Sequence, residues 1–143
     1  MDTVFKPTPT AEGWQLSNPT IMSLACIRAS FDVLSEAGGV GALRTKSIQL
    51  TKYFEDLLLE KLGDKIRLIT PKEESARGCQ LSFEVSEKYP GKKIFDELES
   101  NGFVSDWRYP NVIRAAAVPL YNSYEDVFLF VSALEERLQK AEK

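Results

Sequence analysis

A chain of 143 residues, 43% apolar and 27% charged, is one domain's worth of ordinary globular sequence, long enough to bury a core. Its net charge of -3 leaves no basic footprint for nucleic acid, and neither a membrane span nor a signal peptide is expected from its apolar runs. There is no histidine, which excludes a Ser-His-Asp triad and any histidine-based metal site within the chain.

Residues 1–13, MDTVFKPTPTAEG, carry two prolines and no periodicity, and read as an extended arm or linker. The expected organisation is an arm over residues 1–16 followed by a domain over 17–143. Ser17 and Asn18 are good N-cap residues and Pro19 suits a first helical turn. Ile21, Leu24, Ala25, Arg28, Phe31 and Leu34 follow at helical spacing until Gly38-Gly39. A second helix is expected from about Val40 to Lys61, with Leu43, Leu50, Phe54, Leu57 and Leu58 on its apolar face.

The period then changes. Ile66, Leu68 and Ile69 read as a short strand, and Cys79 to Val85 alternates apolar with polar as a half-buried strand does. Pro90-Gly91 is a turn. Ile94, Phe95 and Leu98 mark a short helix ending at Asn101-Gly102. Strands are expected from Phe103 to Trp107 and from Val112 to Val118. Ser123 to Asp126 resembles a capping box, and Val127, Val131, Leu134 and Leu138 line a last helix whose charged side, Glu135 to Lys143, faces solvent. The sum is an α+β fold: a small, mostly antiparallel sheet covered by helices.

Arg114 is the strongest single candidate for a site. On a strand it shares a face with Val112, Ala116 and Val118, while Ile113, Ala115 and Ala117 share the other. No residue adjacent in sequence can pair with it. Its planar fork suits bidentate binding of a carboxylate, and an acidic side chain from another element would satisfy it equally. Ser17-Asn18-Pro19 is either a plain helix cap or a cap whose Asn18 also reaches a ligand. Cys26 and Cys79 read as buried free thiols. Trp107 to Asn111 reads as an exposed turn with aromatic edges. No phosphate loop, zinc spacing or nucleophile elbow is present.

Three segments together resemble the C-terminal domain of kynureninase: GWQLSNPTI (13–21), RGCQLSF (77–83) and, most specifically, FDELESNGFVSDWRYPNVIRAAAVPLYNSYEDV (95–127). The resemblance covers nearly the whole chain in order. It implies the small domain of an aspartate-aminotransferase-type, fold-type-I enzyme, a cytoplasmic homodimer that uses pyridoxal 5'-phosphate. Such enzymes hydrolyse L-kynurenine, or 3-hydroxykynurenine, to anthranilate, or its 3-hydroxy form, and L-alanine, in tryptophan breakdown and NAD synthesis. The matching arginine binds the substrate's α-carboxylate, which assigns that role to Arg114. The family's Ser-Asn-Pro segment lies by the substrate ring and cofactor, which assigns substrate contact to Asn18 and Ser17 and cofactor contact to Asn18.

The resemblance also implies what is missing. The family's Schiff-base lysine, its pyridine-facing aspartate and most phosphate contacts belong to the large domain, and no lysine here has a matching context. No catalytic residue and no metal ligand is therefore expected in this stretch, which alone should bind no cofactor tightly and turn over no kynurenine. The face that packs on the large domain should be left open and apolar near the N-terminal helix. Two other readings remain at this point. One is the small domain of a cysteine desulfurase-like enzyme, for which neither cysteine looks suited. The other is a stand-alone regulatory module that binds a small carboxylate through Arg114.

Overall fold

The computed structural model describes residues 4–142. The chain divides after Glu36 into two compact units. The first holds a 3-10 turn, Ala11–Trp14, and helix α1, Ile21–Glu36. Helical hydrogen bonding opens with Leu24 N–H donating to Thr20 O at 3.1 Å. Thr20 therefore holds the position before the helix, and Ser17 and Asn18 lie upstream of the N-cap rather than on it. From there their side chains are out of reach of the first-turn N–H groups that a cap satisfies. No residue of α1 is buried, and Ile21, Leu24 and Phe31 are exposed. One helix and an arm cannot close a core around themselves.

The second unit holds the rest. Helix α2 spans Gly39–Leu62, followed by strand β1, Ile66–Leu68, and strand β2, Gln80–Val85. Helix α3 is Gly91–Ser100, strand β3 is Asp106–Arg108, strand β4 is Val112–Ala116 and helix α4 is Tyr124–Ala141. The expected class is observed: an α+β unit whose four-stranded sheet runs in the order β1-β2-β4-β3, antiparallel throughout. The two edge strands are three residues each, too short to recruit a foreign strand readily.

Alternation decides which sheet face is covered. Leu81, Phe83 and Val85 of β2 and Ile113 and Ala115 of β4 point one way and are buried. Against them pack Leu50, Phe54, Leu57 and Leu58 of α2, Ile94, Phe95 and Leu98 of α3, and Val127, Val131, Leu134 and Leu138 of α4. Each such large side chain contributes about 1.5–3 kcal/mol when fully buried. Phe130 sits edge-on to both Phe54 and Phe103, with ring centroids 5.7 and 5.9 Å away, and joins α2 and α4 to the segment after α3. Leu43 is only half-buried, because the core begins one helical repeat further along α2.

Several expectations shift in detail. The strand foreseen at 103–107 is displaced to Asp106–Arg108. Gly102, at φ 87°, ends α3, and Phe103 then drops onto the core while Val104 stands in solvent, so their alternation belongs to a loop. Trp107 is not a turn residue but packs on the core beside Phe95, and the turn itself is Tyr109-Pro110, joined by a cis peptide. Both cysteines are free, but Cys26 is exposed and Cys79 half-buried. The first lies on a helix with no core, and the second sits just ahead of β2, before its inward alternation begins.

Two polar devices hold the unit's ends. Arg77 and Glu55 form an ion pair at 2.8 Å with side chains 3% and 4% exposed, and Arg77 also donates to Pro71 O. The pair fastens the β1–β2 connection to α2. At the start of α4 the expected capping box is present: Asp126 N–H donates to Ser123 Oγ, and Ser123 N–H donates to Asp126 Oδ2. These bonds from Ser123 hold the Asp126 carboxyl below its ordinary value of 3.8.

Arg77→Ala leaves Glu55 buried and unpaired and should cost about 3–5 kcal/mol in urea unfolding, whereas Arg67→Ala, at an exposed pair, should cost less than about 1 kcal/mol. Ser123→Ala should cost about 1 kcal/mol. The charged Asp126 stabilises the fold above its unfolded pKa, and this contribution disappears as pH falls through the depressed folded value. Melting temperature should therefore fall more steeply with acid below pH 3.8 in the wild type than in Asp126→Asn.

Candidate carboxylate site

Arg114 occupies the middle of β4, with Ser82 of β2 as its cross-strand partner on one side and Asp106 of β3 on the other. Its neighbours Ile113 and Ala115 are committed to the core, so the guanidinium lies on the opposite sheet face, one third exposed. There it meets Asp106. Arg114 Nε donates to Asp106 Oδ2 at 2.6 Å, and Arg114 Nη2 bonds the same oxygen. Arg108, two residues along β3 from Asp106, reaches that oxygen too, at 3.0 Å. Of the two partners open to Arg114 from the sequence, a ligand carboxylate or an acidic side chain from another element, the second is present: Asp106 of the neighbouring strand.

A cavity of about 580 Å³ opens beside this pair. Its walls come from the α3–β3 loop, the end of β4, the β4–α4 connection and the start of α4, with Phe54 at its back. The charged groups on its wall are Asp106, Arg114 and Asp126, and Asp126 is engaged by the capping box. The small side chains of Ala115, Ala116 and Ala117 leave the space open.

The Pro-Leu-Tyr-Asn segment that follows β4 is tied down from two sides. Val118 N–H donates to Asn122 Oδ1 at 2.9 Å, closing the turn. Lys46, from α2, donates to Pro119 O at 2.7 Å and to Asn122 O at 2.9 Å. Neither Lys46 nor Asp106 was singled out from the sequence. Lys46 reaches across more than seventy residues and leaves no local signal. Asp106 had one: a turn centred on Pro110 places residue 106 opposite 114.

No lysine lines the cavity, and Lys46 is occupied by carbonyls. The residues present can grip a carboxylate but cannot supply the amine of a Schiff base, so they do not fit a pyridoxal-phosphate site by themselves. Among the described residues no group of three or more Cys, Asp or Glu side chains converges to hold a metal ion. Ser17 and Asn18 are exposed and belong to the other compact unit.

Residues 43–134 match the family model described as the kynureninase C-terminal domain. The chain belongs to this family. It is 46% identical over 136 residues to the kynureninase of Xanthomonas euvesicatoria pv. vesicatoria (strain 85-10), covering 94% of this chain and 32% of that protein. The kynureninases of Xanthomonas oryzae pv. oryzae (strain PXO99A) and Xanthomonas campestris pv. campestris (strain B100) match at 45% and 44% identity over the same shares. The chain therefore spans about a third of the length of the curated relatives it matches. Membership in the kynureninase family decides between the two pyridoxal-phosphate readings of the sequence. Among the described residues, no helix is long and apolar enough to cross a membrane.

Pyridoxal phosphate titrated onto this chain alone should give no Schiff-base absorbance, because the cavity offers no amine. A stable aldimine band, lost on mutating one lysine, would overturn that assignment.

Proposed function

We propose that this chain is the small domain of a pyridoxal-phosphate-dependent kynureninase and that it supplies the arginine for the substrate's α-carboxylate. The activity is hydrolysis of L-kynurenine, or 3-hydroxykynurenine, to anthranilate, or 3-hydroxyanthranilate, and L-alanine, by a cytoplasmic homodimer. The observation that carries the reading is Arg114, a guanidinium held on a rigid strand beside a cavity that contains no lysine. A guanidinium on a central strand fixes the orientation of a carboxylate better than one on a loop. Chemistry that needs an amine then belongs to residues outside this stretch, in keeping with a chain that covers 32% of its relatives.

Asn18, with Ser17 beside it, is assigned to the substrate ring, and Asn18 also to the cofactor. Both side chains are exposed and free of helix capping, which leaves their polar atoms available. The domain itself is taken to run from residue 17 to 143 with an arm before it. The family match from 43 to 134 lies inside those bounds.

Kynurenine hydrolysis by the complete enzyme carrying this chain tests the reading. Arg114→Ala should lower kcat/KM by about a hundredfold or more, with the cofactor absorbance retained. Equal activity in wild type and mutant would remove Arg114 from the site, and a wild type inert toward kynurenine would remove the activity itself.

A further inference from the structure

We infer that Asp106 is a positioning residue: it locks one edge of the Arg114 guanidinium and thereby presents the other edge to the substrate carboxylate. The inference rests on the carboxylate role proposed for Arg114 and adds the geometry and the residue that set it. A guanidinium has two edges that can each bind a carboxylate with two hydrogens, one formed by Nε and Nη2 and one by Nη1 and Nη2. Asp106 Oδ2 takes the first, through Nε at 2.6 Å and through Nη2. Nη1 makes no hydrogen bond among the described residues, so the second edge is free.

The lock is built into the sheet. Asp106 and Arg114 are direct cross-strand partners, so their Cβ atoms stand side by side on one face. A flexible arginine is thereby reduced to one orientation before a ligand arrives, and the ordering is not left to be done on binding. A lone aspartate beside an arginine would cancel the charge that a carboxylate ligand needs. Arg108 offsets this: its Nη2 lies 3.0 Å from the same Oδ2. The cluster of two guanidinium groups and one carboxylate keeps a net positive charge, so it can be rigid and still attract an anion.

This arrangement makes two opposite predictions separable by sign. If Asp106 acted only through its charge, Asp106→Asn would make the site more positive and tighten carboxylate binding, lowering KM for kynurenine. If it positions Arg114, the same change releases the guanidinium and KM rises.

The test is steady-state hydrolysis of kynurenine by the complete enzyme carrying this chain, in wild type, Asp106→Asn, Asp106→Glu, Arg114→Ala and Glu84→Gln, with a melting curve for each. Glu84→Gln removes an ion pair to Arg67 on the same sheet face and serves as the structural control. The expected result is a rise in KM of about tenfold in Asp106→Asn with kcat within about threefold of wild type, recovery of most of that loss in Asp106→Glu, and no change in Glu84→Gln. A lowered or unchanged KM in Asp106→Asn, beside a crippled Arg114→Ala, overturns the positioning role and leaves the carboxylate role intact. An unaffected Arg114→Ala overturns both. If Asp106→Asn does not fold, Asp106→Glu decides: the longer carboxylate can still reach Arg114, so a folded Glu variant whose KM is raised as far as its Arg114→Ala counterpart counts against the inference.

Discussion

The alternation of β4 is the constraint on which the site depends. Ile113 and Ala115 must face the helices because the only core of this unit lies there, and the period of a strand then sends Arg114 to the far face. A slip of one residue would bury the guanidinium among leucines and expose isoleucine. β2 enforces the register from one side, with Leu81 opposite Ala115 and Phe83 opposite Ile113, and β3 enforces it from the other, with Trp107 opposite Ile113. The hydrophobic core therefore decides on which face of the sheet Arg114 stands.

The helices and central strands were legible because their signals are periodic. Leu50 to Leu58, Leu81 to Val85 and Val127 to Leu138 repeat at helix or strand spacing, and the buried positions fall where the period puts them. The capping box at Ser123 was legible because its chemistry is local to four residues. What failed was the register of the β3–β4 hairpin. Phe103 to Trp107 reads as a strand from its residue types, yet Phe103 packs against Phe130 and the strand begins only at Asp106. With the strand placed too early, the acidic side chain that could satisfy Arg114 was not identified as Asp106. Ser17 and Asn18 show the converse error. Their side chains have the right chemistry for a cap, but the helix begins beyond them, at Ile21.

The carboxylate role proposed for Arg114 asks little of the chain around it. A strand arginine, a cross-strand aspartate and a cavity with small side chains on its wall are enough to orient a carboxylate. No lysine is among the residues that line that cavity.

Lys46 has a consequence of its own. Its ammonium turns the oxygen ends of the Pro119 and Asn122 peptides onto itself. A loop bordering a cavity ordinarily presents such oxygens inward, where they repel an incoming anion. Here two of them are gathered by a helix on the far side, and the Asn122 side-chain oxygen is taken by Val118 N–H. The Pro119 and Asn122 carbonyls and the Asn122 amide oxygen are thereby committed to protein donors, and among the residues lining the cavity Arg114 is the one cation left to meet an anion.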